Sequence, residues 1–139
     1  MKNRRNVLIL EDDLGRTERF RVALKRLGTN FEMKVWRNAK KMIEELDGYL
    51  QTSILISLDH DLNPIRAGED PGDGLDVAKF LASRTPVCPV IVHTSNISRS
   101  EAMMGELELA GWTVKRVGPI GEDWVEVDWA NFVSQLISK

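Results

Sequence analysis

The sequence predicts an α/β fold in which helices cover both faces of a five-stranded parallel sheet. Five short apolar runs alternate with five segments whose apolar residues recur at helical spacing. The run Ile54–Leu58 is rich in β-branched and aliphatic residues, which is typical of a strand buried on both faces. Right-handed crossovers then favour the doubly wound, flavodoxin-like strand order 2-1-3-4-5. No repeat or linker interrupts the pattern, so we expect one domain over residues 1–139.

The elements before the central strand follow from local patterns. Val7–Leu10 is the first strand, and a helix over Leu14–Leu27 follows it and ends at Gly28. The alternation from Phe31 to Trp36 predicts a half-buried edge strand. Asn38 is a good N-cap for a helix that runs to about residue 49.

The elements after the central strand alternate in the same way. They are a helix over Leu75–Ser83, a strand over Pro89–Val92, a helix between the capping box Ser98–Glu101 and Gly111, a strand over Trp112–Val117, and a last helix from Asp128 or Trp129 to Ile137. Each parallel strand is thereby followed by a crossover helix.

The composition bounds the class of protein. A hydrophobic content of 42% and a charged content of 29% are ordinary for a soluble globular domain. The single Cys88 excludes a disulfide framework and a multi-cysteine zinc site, and it suits a reducing cytoplasm. No apolar run has membrane-spanning length. The net charge of −2 disfavours bulk DNA or RNA binding, although a local site for a nucleotide or an RNA end remains open.

Three polar clusters follow the predicted strands one, three and four. They are Glu11-Asp12-Asp13, Asp59-His60-Asp61 and His93-Thr94-Ser95-Asn96. Ligands of open α/β sheets bind outside the carboxyl ends of the strands, so we expect these clusters to meet there.

The five acids in these clusters would repel each other, so either some are protonated or a cation lies among them. Oxygen ligands of this kind suit Mg²⁺ or Mn²⁺. The candidate metal ligands are Glu11, Asp12, Asp59 and Asp61, whereas Asp13 is better explained as a helix cap.

The chain has two histidines, and both follow neighbouring central strands. His60 and His93 could share acid and base work on a phosphate ester, or they could bind a metal beside Asp59 or Asp61. The sequence leaves both uses open. We expect His60, His93, Asp12 and Asp59 to line one pocket.

The segment Asn63–Gly74 is a long loop for a compact α/β unit, since Asp59 and Gly74 are fifteen positions apart. Arg66 is its one basic residue and can pair bidentately with a phosphate. We expect a mobile flap that contacts substrate through Arg66; a solvated Arg66 is the alternative.

These motifs together resemble a response-regulator receiver domain. The resemblance rests on Leu-Glu-Asp-Asp after strand one, an Asp ending strand three, Gly74–Val77 opening the next helix, and Pro-Val-Ile-Val-x-Thr-Ser in strand four. It implies that Asp12, with Glu11 or Asp13, binds Mg²⁺, that Asp59 accepts a phosphoryl group and that Thr94 contacts it. The chain departs from the family after strand five, because Gly118 precedes Pro119 where the family has a lysine. Lys115 and Arg116 lie nearby.

A second resemblance is narrower. The stretches Leu58–Leu62 and Val92–Asn96, which read Leu-Asp-His-Asp-Leu and Val-His-Thr-Ser-Asn, resemble the branch called the cyclic-phosphate processing receiver domain. That branch is proposed to act on nucleotides or on RNA ends that carry a cyclic phosphate.

Three functions compete on this basis. In a phosphoesterase, Asp12, Asp59 and Asp61 would hold a divalent ion and the two histidines would transfer protons. The side chains that would donate hydrogen bonds to the phosphate are Thr94, Ser95, Asn96 and Arg66. In a signalling switch, a histidine kinase would phosphorylate Asp59. A degenerate receiver would only bind protein, through a last strand and helix around which Trp112, Trp124 and Trp129 occur. The paired histidines and the missing lysine favour the phosphoesterase.

Overall fold

The computed structural model describes residues 4–28 and 30–137, with the side chain of Ile137 left out. Its five strands form one parallel sheet in the order β2-β1-β3-β4-β5, which confirms the predicted order. The strands are β1 Asn6–Leu10, β2 Glu32–Trp36, β3 Ser53–Leu58, β4 Val90–Val92 and β5 Val114–Arg116. Leu10 pairs with Leu58, and Leu58 pairs with Val92. The residues that follow β1, β3 and β4 therefore start level with one another.

Helices cover both faces of the sheet, as predicted. They are α1 Leu14–Leu27, α2 Ala39–Glu45, α3 Gly74–Ala82, α4 Ile97–Leu109 and α5 Ala130–Ile137. Strand residues alternate between the two faces, so Leu8 packs with α2, α3 and α4 while Val7 packs with α1 and α5. In the part of the chain that is described, no helix combines the length and the apolar character needed to cross a membrane.

Two helix boundaries differ from the predicted ones. The helix after Asn38 ends at Glu45 and is followed by two 3-10 turns, Leu46–Gly48 and Leu50–Thr52, because Asp47 and Gly48 are poor helix formers. Helix α4 begins at Ile97 rather than at the predicted capping box. Asn96 caps it by accepting a hydrogen bond from the backbone N–H of Arg99, and Asn is at least as good a cap as Ser.

The chain after β4 also differs in detail. Strand β5 is limited to three residues at the sheet edge, and a π-helical segment, Val125–Trp129, leads directly into α5. Trp112 packs in the core under α3 and α4, whereas Trp124 and Trp129 pack in the opposite core. All three are buried, so these tryptophans serve core packing and offer no exposed ring to a protein partner.

The start of α3 presses closely against the end of β3. The backbone N–H of Gly74 donates a hydrogen bond to the carbonyl oxygen of His60 at 3.0 Å. A Cβ atom at Gly74 would overlap the carbonyl oxygen of Asp59 and approach Met103 Cε to 2.8 Å. Only glycine permits this approach.

Candidate active site

A polar cleft of about 300 Å³ opens at the carboxyl edge of the sheet. Its lining residues follow β1, β3, β4 and β5, as expected for a ligand site in an open α/β sheet. They are Asp12, Asp13, Arg16, Asp59, Asp61, Asn63, His93, Thr94, Ser95 and Pro119. The structure thus brings together members of all three polar clusters that the sequence indicated.

A fully buried hydrogen-bonded pair, His93 and Glu11, forms the floor of this region. Nε2 of His93 lies 3.0 Å from Glu11 Oε1, and Nδ1 lies 2.7 Å from Ser57 Oγ. The indole N–H of Trp129 donates to the same Ser57 oxygen at 3.0 Å. Because Ser57 accepts that bond, its own hydroxyl hydrogen is available to His93 Nδ1. Because a carboxylate only accepts hydrogen bonds, Nε2–H of His93 donates to Glu11.

The Glu11 carboxylate is held in its charged form. Burial raises its pKa, but the hydrogen bond and the charge of His93, the charge of Arg16 and the backbone N–H of Asp13 together outweigh burial and lower the pKa below its ordinary value. The Asp13 N–H lies 3.1 Å from Oε2. Glu11 is therefore a fixed negative charge beneath the cleft.

Arg16 is the cation of the cleft, and sequence reasoning missed it. Its Nη1 lies 3.3 Å from both carboxylate oxygens of Glu11 and 3.9 Å from Asp59 Oδ2, and the guanidinium covers the Trp124 ring at 5.5 Å. A signal did exist in the sequence. Arg16 lies in the first turn of α1, where the helix dipole disfavours a positive charge unless an anion compensates it.

Asp59 immediately follows β3 and is buried, with 8% of its surface exposed. Its Oδ1 accepts a hydrogen bond from the backbone N–H of His60 at 2.7 Å, which leaves Oδ2 toward Arg16. Burial is the largest cause that raises the pKa of Asp59 to about 6, and the charge of Glu11 adds to it, although His93, the His60 N–H and Arg16 oppose the shift. A bound cation would relieve the same repulsion.

The donor set around Asp59 fits a divalent ion. Glu11, Asp59 and His93 each offer a ligand atom, and these atoms lie within 4.8 Å of one another. An ion on all three would break the Glu11–His93 hydrogen bond. Asp12 avoids that conflict, because only its Oδ2 is engaged, by the backbone N–H of Asn63 at 2.6 Å. Carboxylate oxygens in a half-open cleft suit Mg²⁺ or Mn²⁺.

His60 lies outside the lining of this cleft, which differs from the expected pocket shared by both imidazoles. Strand β3 ends at Leu58 and the chain bends at His60, so the imidazole turns away from the cleft that Asp59 lines. The His60 ring reaches Asp61 Oδ1 through Nδ1 at 2.9 Å and lies 3.5 Å from Asp73 Oδ2 through Nε2. Asp61 lies two residues before the long loop and Asp73 is its second-last residue, so His60 links the segments on either side of the loop.

The other proposed phosphate ligands are divided between the cleft and its surroundings. Ser95 is exposed and lines the cleft, and Thr94 lines it with a buried side chain that accepts a hydrogen bond from the Asn96 N–H at 3.2 Å. The Asn96 side chain caps α4 and donates to Asp61 Oδ2 at 3.4 Å. Arg66 is exposed and is not among the lining residues.

Both ends of the long loop are attached to the body of the protein. The N–H of Asn63 donates to Asp12, and the carbonyl oxygen of Pro71 accepts a hydrogen bond from the Ala39 N–H at 2.7 Å. Lys40 pairs with Asp70 at 3.2 Å. A mobile flap over the cleft therefore remains a prediction only for the segment between Asn63 and Asp70.

Receiver domains have a lysine after strand five, and this chain has Gly118 at that position. Gly118 precedes Pro119, and Nη2 of the nearby Arg116 donates to the carbonyl oxygen of Thr94 at 3.0 Å. The Lys115 ammonium lies over the Phe132 ring at 5.1 Å. Among the lining residues in the described part of the chain, Arg16 alone is basic.

Solved structures with the same fold are receiver domains. The response regulator receiver domain from Rhodospirillum rubrum superposes with a TM-score of 0.69 at 18% identity, covering 96% of this chain and 93% of that one. The phosphorylated cyanobacterial phytochrome response regulator RcpA gives 0.71 at 14% identity, with coverages of 95% and 92%. A CheY-like receiver domain protein from Methanospirillum hungatei JF-1 gives 0.65 at 13% identity, with coverages of 98% and 96%.

Comparison with curated proteins finds no match. The model of one family, described as "Cyclic-phosphate processing Receiver domain", matches residues 7–109. That range runs from the second residue of β1 to the end of α4 and contains every cleft residue except Pro119. The chain therefore belongs to the cyclic-phosphate processing receiver domain family.

Proposed function

We propose that this protein is a metal-assisted phosphoesterase that opens or removes cyclic phosphates, carried by a nucleotide or an RNA end. One observation carries the proposal: the Arg16 guanidinium and the Asp59 carboxylate, 3.9 Å apart, line the same polar cleft. A cation that binds phosphate oxygens and acids that hold a divalent ion are the two parts that phosphoryl chemistry requires.

Five of the cleft residues act on the substrate or the ion in this proposal. Arg16 and the Ser95 hydroxyl bind the phosphate oxygens. Asp12 and Asp59 would hold Mg²⁺ or Mn²⁺, which would neutralise the phosphate and activate a water molecule. A water oxygen adds to phosphorus, one ring P–O bond breaks, and the leaving oxygen takes a proton from solvent. Asp61 accepts the proton of the attacking water.

The histidines act through the carboxylates in this scheme. A hydrogen bond from His60 lowers the pKa of Asp61, and the contact orients a carboxylate that is ionised at neutral pH with or without it. Both ring nitrogens of His93 are engaged, so His93 holds Glu11 and, through Glu11, Arg16. We therefore assign positioning roles to both, in place of the direct proton transfer that the sequence favoured.

The experiment is incubation of the purified protein with 2′,3′-cyclic nucleotides and with RNA ending in a cyclic phosphate, each with Mg²⁺ or Mn²⁺. The expected result is release of a phosphate monoester that requires the ion. Arg16→Ala should abolish it, while Arg21→Ala, on the exposed side of the same helix, should not. Absence of turnover for every substrate would reject the phosphoesterase.

A phosphoacceptor switch is the second candidate, because Arg16 places a positive charge beside Asp59 although the family lysine is missing. A histidine kinase would then be the phosphate source. Acetyl phosphate with Mg²⁺ separates the two candidates. Stoichiometric labelling that Asp59→Asn abolishes, without turnover of any cyclic phosphate, would favour the switch.

A further inference from the structure

Strand β2 forms one edge of the sheet, and part of its backbone faces away from every other strand. Among the described residues β2 pairs only with β1. The carbonyl oxygen of Trp36 accepts a hydrogen bond from the N–H of Glu11 at 3.0 Å, so the backbone of Trp36 faces β1. Successive residues of a parallel strand direct their backbone groups alternately to its two sides. The N–H and C=O groups of Met33 and Val35 therefore point to the free edge.

A groove of about 460 Å³ lies beside this edge, on the face of the sheet that α1 covers. Leu24 and Lys25 of α1 contribute to one wall, and Phe31 and Met33 contribute to the other. Phe31 and Met33 pack against the core on this face but are only half-buried. Apolar surface thus lies next to backbone groups that point to the free edge. A peptide that adds a strand to a sheet uses both features, because its main chain pairs with the edge and alternate side chains enter pockets.

The charges at this edge favour an acidic peptide. Lys25 is exposed, and no acid of the described chain lies within ion-pair distance of it. Lys34, at the middle of β2, places a second positive charge on the opposite face of the strand. Glu32 is the one acid of β2, and Arg5 already pairs with it. Carboxylates next to the apolar residues of an added strand would complement this edge.

A second copy of the chain suits this edge less well. An antiparallel pair of β2 strands related by a twofold axis at the middle residue would set the two copies of Lys34 directly opposite each other. Like charges in that position are destabilising, and lysine on an edge strand is one way in which proteins prevent self-pairing. The same lysine does not oppose an acidic strand.

We propose that the β2 edge binds an extended acidic peptide segment of another protein, which adds a sixth strand to the sheet. The main chain of the peptide pairs with Met33 and Val35, one of its apolar side chains enters the groove, and a carboxylate pairs with Lys25. The groove shares no lining residue with the polar cleft, so this docking surface does not depend on the proposed function.

Hydrogen exchange with a synthetic peptide tests the proposal. The probe reads Asp-Glu-Val-Leu-Val-Glu-Asp, and in the control peptide lysine replaces each acid. At about 1 mM, the acidic peptide should slow exchange of the Met33 and Val35 amide hydrogens at least about tenfold more than that of Lys34, whose N–H already faces β1. Titration of this protection gives the affinity.

Two variants of the protein locate the peptide. Val35→Pro removes an N–H that points to the free edge, at a position where an edge strand tolerates proline. Binding should be lost while circular dichroism shows an intact fold. Lys25→Glu should weaken binding about fivefold, on the scale of an exposed ion pair. Lys79→Glu, at an exposed position of α3, is the matched control and should leave the affinity unchanged.

The remaining outcomes would each overturn the proposal. Equal protection by the acidic and the lysine peptide would contradict the charge match. Protection that grows with protein concentration in the absence of peptide would assign the edge to a second copy. Peptide binding that survives Val35→Pro would place the ligand in the groove without strand addition. Absence of protection with either peptide would reject the docking surface.

Discussion

His93 Nε2 and Glu11 Oε1 lie 3.0 Å apart, and neither side chain has exposed surface. The pair joins the end of β4 to the end of β1 across the intervening strand β3, beneath the cleft. A buried charge with a good partner costs little, whereas a buried charge that loses its partner costs several kcal/mol. The pair therefore fixes the geometry of the cleft.

We predict that His93→Ala lowers the free energy of unfolding by about 3 kcal/mol or more, because Glu11 loses a partner and a ring-sized cavity remains. Urea unfolding followed by circular dichroism measures the change. Ser95→Ala, at the exposed neighbouring position, should change stability by less than about 0.5 kcal/mol. A loss below about 1 kcal/mol for His93→Ala would contradict the structural role of the pair.

Ion binding should depend on Asp12 and Asp59. Mg²⁺ or Mn²⁺ at 100 times its dissociation constant should stabilise the parent protein by about 2.7 kcal/mol and raise its melting temperature. Asp12→Asn and Asp59→Asn remove a charge while keeping the shape, so the ion should barely shift the melting temperature of either variant. Glu101→Gln, on the exposed side of α4, is the control. Equal shifts in all four proteins would exclude an ion site in the cleft.

Arg16→Gln should weaken phosphate binding by about ten- to a hundredfold, since a charge-assisted bidentate contact contributes about 1.5–3 kcal/mol. Competition of inorganic phosphate against turnover measures the affinity. Arg21→Gln on the same helix removes a cation that pairs with Glu18 instead. Identical inhibition constants for the parent and Arg16→Gln would show that Arg16 serves only the fold.

His60→Gln should loosen the long loop without removing the catalytic groups. Hydrogen exchange of the backbone amides between Asn63 and Gly72 should accelerate, because His60 no longer approaches both Asp61 and Asp73. Turnover should fall by less than about tenfold. A loss of about 10²–10⁴-fold at unchanged exchange would instead identify His60 as a proton-transfer group.

Cys88 should be unreactive in the folded protein. Burial raises the pKa of its thiol to about 11 from the ordinary 9.0, partly offset by a contact with Ser53. Folding thus favours the neutral thiol; this contribution to stability is complete below about pH 9 and is lost as the pH rises toward 11. Iodoacetamide at pH 8 should react about a hundredfold more slowly than with the urea-unfolded chain. Similar rates would place the thiol in solvent.

The fold was predictable because strand burial and helix periodicity are local properties. The apolar runs ending at Leu10, Leu58 and Val92 are the three central strands, and parallel pairing brings the clusters after them to one edge. Cleft membership of Asp12 and Asp59 followed from that topology. The short length of β5, three residues, could not be predicted in this way, since pairing with the neighbouring strand decides where an edge strand ends.

The sequence could not predict which side chains near the sheet edge point into the cleft. His60 belongs to a predicted cluster and Arg16 lies three residues after another one, yet of the two only Arg16 lines the cleft. The direction of His60 depends on the backbone immediately after β3, and that of Arg16 on packing against Trp124. Trp124 comes from a distant segment that carries no signal of this contact.

Gly74 does not line the cleft, but its contact with Asp59 affects the position of that carboxylate. Because the missing side chain lets α3 abut the carbonyl of Asp59, the depth at which Asp59 sits is set by a residue fifteen positions away that never meets the ligand. Even the single methyl group of Gly74→Ala would overlap the Asp59 carbonyl oxygen, and we expect it to displace Asp59 relative to Asp12 and Arg16. Loss of activity at this position would then report on carboxylate alignment, with the composition of the cleft unaltered.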